Sequence, residues 1–119
     1  MAELDKTTSI NIVRNCIVVT LPTEIMDSEI DALTAQVAEI AYDQNVRGAI
    51  FDFSMVPILD TYTLECLERI TRMVKLLGHK VVWVGLRPGV VAALIDLDMY
   101  SVNVATAVNL DHGLDLLLN

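Results

Sequence analysis

The stretch Ala49 to Leu77, AIFDFSMVPILDTYTLECLERITRMVKLL, most constrains what this chain can become. It runs from a short apolar strand through an acidic turn with hydroxyl residues into a helix whose inner stripe is Leu64, Leu67, Ile70, Val74 and Leu77. A strand feeding an amphipathic helix requires a sheet for that helix to lie on. Asp60, Thr61, Tyr62 and Thr63 sit at the junction, where a connection held on a rigid scaffold delivers side chains to solvent. On the helix's outer face Glu65 precedes Arg69 and Glu68 precedes Arg72, each pair four residues apart in the order that favours attraction. Gly78 then ends the helix.

The flanking segments supply the rest of the sheet. Ser9 to Val13 and Cys16 to Leu21 are rich in β-branched residues, and Arg14 with Asn15 leaves just enough chain for a hairpin turn. Pro22 ends the second strand, and Asp27 to about Gln44 places Ile30, Leu33, Val37, Ile40 and Ala41 at helical spacing, with Ser28 and Asp31 resembling a capping box. Ala49 to Phe53 is the next strand. Val81 to Val84 reads as a buried central strand, Pro88 opens a helix carrying Val90, Val91, Leu94 and Ile95, and a short strand near Val104 precedes a last helix from about Asn109. The expectation is one α/β domain over residues 1–119, a mainly parallel mixed sheet with an antiparallel first hairpin, packed against about four helices.

Composition removes several function classes. Sixteen acidic against eight dispersed basic residues give a formal net charge of -8, which disfavours nucleic acid and anionic membrane as partners. The chain is 54% hydrophobic, yet no uninterrupted run approaches the roughly 18 residues of a membrane span. The apolar excess fits either surface buried in an oligomer or a Val-, Leu- and Ala-rich core. The polar start MAELDKTTS is unlike a signal peptide, so a cytoplasmic location is expected. Cys16 and Cys66 match no metal spacing and are expected as buried thiols, and His79 and His112 stand apart. No metal or cofactor is expected.

No nucleophile with a base and no phosphate-cradling glycine motif is present. Gly85 to Gly89, GLRPG, could hold an anion before a helix, but a turn with Pro at the helix start explains it more simply. Asp52, followed by Met55 and Pro57, looks like the phosphoacceptor region of a receiver domain, but the acidic pair and lysine that hold magnesium there are not evident. Its alternative role is to close the strand and bond the following turn. Asp60 is suited to cap the helix, which leaves Thr61 at the first helical position, exposed and able to carry a phosphoryl group.

These residues resemble the STAS domains, the anti-sigma-factor antagonists and their relatives. The likeness covers nearly the whole chain: the opening strands, TEIMDSEIDAL, IFDFSMVPILDT, GHKVVWVGLRPGV and the NLDHGLDLL tail. The LDT turn matches the family's Asp followed by a phosphorylatable Ser or Thr, and the Gly-His-Lys to Gly-Leu-Arg-Pro stretch resembles the stressosome branch, in its RsbS-like scaffold type without an N-terminal sensor module. What the resemblance implies is a non-enzymatic scaffold with Thr61 as phosphoacceptor, Asp60, Tyr62, Thr63, Glu65 and Arg69 as its neighbours and docking face, and Asp27 where RsbR-like chains carry a second threonine. The implied partners are an RsbR-like STAS co-scaffold, an RsbT-like switch kinase and an RsbX-like phosphatase. Two departures stand out: Thr61 replaces the serine usual in RsbS-like chains, and Tyr62 replaces the glycine of simpler antagonists. A simple anti-sigma antagonist that pairs with one kinase is the alternative reading.

Overall fold

The computed structural model describes residues 8–43, 45–96 and 104–119. The polar start of the chain and the expected helix end at Gln44 therefore lie, wholly or in part, outside the described residues. Strands β1 (Ser9–Val13) and β2 (Cys16–Thr20) form the hairpin, and Arg14 and Asn15 both take left-handed φ, 53° and 66°. Two such residues make a turn whose twist matches that of the strands it joins. The chain continues through α1 (Asp27–Ala41), β3 (Gly48–Asp52), α2 (Thr61–Leu76), β4 (Lys80–Val84), α3 (Pro88–Asp96), β5 (Ala105–Ala107) and α4 (Leu110–Leu118). The strands lie in chain order, with β1 antiparallel to β2 and every other neighbouring pair parallel. This is the mixed sheet expected from the alternation of strands and helices.

Side chains alternate across a strand, so the sheet feeds two cores. Ile17, Val19, Phe51, Val81 and Trp83 pack against Leu33 and Val37 of α1, Leu64, Leu67, Ile70 and Val74 of α2, and Val90 of α3. Cys16, Ile50, Val82 and Val84 form a second cluster with Leu114 and Leu117 of α4. Gly113 permits that close approach, since a Cβ there would lie 2.7 Å from Val84 Cγ1. Trp83 is fully buried beside Phe53, and its indole N–H donates to Thr71 Oγ1 (3.0 Å), which donates on to the Leu67 carbonyl (2.9 Å). The only donor of the indole is thus satisfied inside the core.

Local signals are confirmed at some helix ends and corrected at others. Gly78, at φ 100°, closes α2: its N–H reaches the Lys75 carbonyl (3.0 Å) and the His79 N–H reaches the Val74 carbonyl (3.3 Å). The capping box expected from Ser28 and Asp31 is instead made by Glu29, whose Oε1 accepts from the Met26 N–H (3.0 Å). The helix begins at Asp27, so Ser28 is already inside the first turn and cannot cap it. Of the two ion pairs expected on α2, Glu68 and Arg72 form one, with Arg72 Nε to Glu68 Oε2 at 3.0 Å. Arg69 turns from Glu65 to donate to Cys66 Sγ (3.5 Å), one turn back on the side that faces α1.

Candidate functional site

Three connections meet beyond the C-terminal ends of the parallel strands: residues 21–26 after β2, 53–60 after β3 and 85–87 after β4. In open α/β sheets this is the end where ligands and partners bind. The connections brace one another. Asp52 Oδ1 accepts from the Ser54 N–H (2.9 Å), and Gly85, at φ 68°, leaves space against both residues. Asp52 thus closes its strand and bonds the following turn. Gly89 lies so close to the β3–α2 connection that a Cβ would stand 2.2 Å from the Pro57 carbonyl oxygen.

The middle connection ends in Asp60, the N-cap of α2, whose Oδ1 accepts from the Thr63 N–H at 2.8 Å. The Thr63 hydroxyl, followed by the Thr63 N–H, holds the Asp60 carboxyl below the ordinary aspartate range. The Thr63 N–H is engaged in this way, and Thr63 is only 4% exposed. Thr61 is the first residue of the helix and is exposed, so its hydroxyl lies in the positive field of the unpaired N–H groups. The exposed Asp27 is likewise the first residue of α1. A carboxylate therefore occupies in α1 the helical position that the Thr61 hydroxyl occupies in α2.

Tyr62, Glu65 and Arg69 are exposed on α2. Tyr62 lies at the α1–α2 groove with Asp31, Thr34, Cys66, Arg69 and Met73. Its phenol is held above the ordinary tyrosine value, first by its hydrogen bond and charge interaction with Cys66, then by burial and the carboxylates of Asp27 and Asp31. Thr63 is the member of the expected docking face that points inward.

Sequence reasoning missed an apolar surface at this end. Met26, Met55 and Ile58 are exposed, Ile58 at 70%, and Met26 and Ile58 line a groove of about 430 Å³ with Ile25, Leu59, Glu24 and Asp60. Phe53 and Val56 in the same connection are fully buried, so the run FSMVPIL reads as core until its backbone path is known. Among the described residues no His, Cys, Asp and Glu side chains gather as a metal site, and no helix is long and apolar enough to cross a membrane.

A family model described as STAS domain matches residues 7–109. No curated protein matches the chain by sequence. Among solved structures, a serine-to-glutamate variant of RsbS from Moorella thermoacetica is similar at 28% identity and TM-score 0.83, over 94% of this chain and 95% of that one. A chain from a structure of the stressosome, described as a signal integration and transduction hub, follows at 27% identity and TM-score 0.79, over 93% and 96%. The phosphorylated form of SpoIIAA from Bacillus shares the fold at 12% identity, TM-score 0.70, over 92% and 98%.

Proposed function

The chain belongs to the STAS domain family, and from that premise we propose that it is a non-enzymatic cytoplasmic scaffold of a stressosome-type complex, switched by phosphorylation of Thr61. The observation that carries the reading is the contrast between two threonines: Thr63 is buried with its N–H given to Asp60, while Thr61 stands exposed at the helix start. The likeness to RsbS and to a stressosome chain supports the assembly side of the proposal. In it, an RsbR-like STAS protein is the co-scaffold, an RsbT-like switch kinase docks at the loop end of the sheet, and an RsbX-like phosphatase resets Thr61.

A phosphoryl group brings about -1.5 to -2 charges. On Thr61 it stands next to Asp60, which lines a groove with the exposed Ile58 and Met26. A docked partner would have to strip water from that charge, which is costly without a matching cation. Phosphorylation therefore releases the kinase and leaves the fold intact. Asp27 supplies a permanent charge at the start of the neighbouring helix.

The test is incubation with the cognate kinase and ATP, followed by mapping of the phosphate. Phosphate on Thr61 is expected; phosphate only on Thr63 or Ser28 overturns the assignment. Thr61→Ala should retain the kinase and Thr61→Asp should bind it more weakly, and equal affinity for the two would remove the release mechanism.

A further inference from the structure

The residues on either side of Thr61 belong to different grooves. Asp60 lines the groove of Met26 and Ile58, whereas Tyr62 lines a second one, of about 330 Å³, between α1 and α2 with Asp31, Thr34, Cys66 and Arg69. Tyr62, Cys66 and Arg69 recur at helical spacing and so share the face of α2 turned to α1. The buried Cys66 sulfur accepts from both of its neighbours on that face. Arg69 Nη2 lies 3.5 Å away, and the Tyr62 O–H donates to it, a bond that favours the protonated phenol. The phenol is thus satisfied inside the protein, yet Tyr62 is 50% exposed. What it offers a partner is an aromatic ring anchored at its tip.

We propose that Tyr62 is a specificity-determining residue for phosphorylation of Thr61: the switch kinase receives its ring in an apolar recess beside the ATP γ-phosphate, and so selects this chain over a helix start with a small residue there. The inference rests on the reading of Thr61 as acceptor and adds what the kinase reads next to it. Thr61 and Tyr62 are the first two residues of α2, held in one rigid turn by the Asp60 cap. Phosphoryl transfer needs the acceptor oxygen within about 3–3.5 Å of its target, so the side chain that follows the acceptor enters the kinase with it.

The other exposed members of this face are less suited to the task. Glu65 and Arg69 lie about one and two turns further along the helix, and Arg69 is tied to Cys66. Thr63 is buried. A ring already held at one end loses little rotamer freedom when a partner closes on it, which keeps the entropic cost of docking low. The chemistry of the recess follows from the surroundings of the ring. The phenol needs no further partner, so the recess is apolar, and Asp27 and Asp31 act on the phenol as negative charges, so an acidic rim would be repelled.

The test is steady-state phosphorylation of the full chain by an RsbT-like kinase with ATP, with the phosphate mapped in every variant. The ratio of kcat/KM between wild type and Tyr62→Ala is the discrimination itself. It should be about tenfold or more and should lie in KM, with kcat retained. That split separates recognition from support of the helix, since a loosened helix start would misplace the acceptor and lower kcat as well. Ala is a good helix former and Tyr62 is half exposed, so the circular dichroism spectrum should not change. Tyr62→Phe keeps the ring and should stay within about threefold of wild type, because a recess that is apolar gains nothing from the hydroxyl. Equal KM for wild type and Tyr62→Ala, a loss confined to kcat, or equal losses in Tyr62→Ala and Tyr62→Phe overturns the proposal, while phosphate on Thr61 in those experiments leaves the acceptor assignment standing. Absence of phosphate from Thr61 in the wild type overturns both.

Discussion

At Asp60 one carboxylate caps a helix and sits beside the hydroxyl proposed to be phosphorylated, and the two roles separate by substitution. The cap bond to the Thr63 N–H is worth about 1 kcal/mol, so Asp60→Ala should lower stability by that order in chemical denaturation. Asn caps as well as Asp, so Asp60→Asn should be nearly neutral at pH 7 but differ in its response to acid. The Asp60 carboxyl is held below its unfolded value by Thr63. Such a group stabilises the fold fully above the unfolded value, near about 4, and loses that contribution as pH falls through the lower folded value. Wild type should therefore lose stability on acidification more steeply than Asp60→Asn in that window, and parallel curves would contradict the assignment. Asp60 was legible in the sequence because a lone acid between Pro57 and an amphipathic run has few other uses. Glu29 was not: Glu24, Asp27, Ser28 and Glu29 fall within six residues, and only the backbone path decides which of them reaches a free N–H.

Helix α2 is the element that positions Thr61, and it is held to the sheet by an apolar stripe and one polar tie, Trp83 Nε1–H to Thr71 Oγ1. Thr71→Val keeps the shape of the side chain and removes the acceptor, leaving a buried indole N–H unpaired. A loss of about 1–3 kcal/mol is expected from urea denaturation. An unchanged midpoint would mean that the tie contributes nothing net. Both ends of α2 were legible from Asp60 and Gly78, because each residue has a backbone role that few others fill. The same periodicity also gave the α2 stripe, but it contained no statement about which sheet face a helix covers. That α4 alone forms the second cluster depends on Gly113 meeting Ile50 and Val84, residues far away in the chain. The Trp83–Thr71 bond was likewise invisible, since no local pattern links two residues on different elements.

Across the whole molecule, acidic charge and apolar surface coincide at the loop end of the sheet. The chain carries a formal charge of -8, and Glu24, Asp27 and Asp60 neighbour the exposed Met26 and Ile58. Two contributions to the proposed kinase docking can be ranked. Fully burying an aliphatic side chain of this size contributes about 1.5–3 kcal/mol, whereas an exposed ion pair contributes about 0–1 kcal/mol and is screened by salt. Docking should therefore rest mainly on Ile58 and its apolar neighbours, with the carboxylates setting orientation and approach rate. This ordering also explains how an added negative charge can release a partner: if attraction between charges dominated, phosphate on Thr61 would tighten a basic kinase instead. Ile58→Asp should accordingly weaken kinase binding by about tenfold or more while leaving the thermal midpoint within a few degrees of wild type, because the side chain is already in water in the free protein. Titration calorimetry at low and moderate salt decides between the two. A steep loss of wild-type affinity with salt, together with unimpaired binding by Ile58→Asp, would make the surface electrostatic and leave release by phosphorylation without its physical basis.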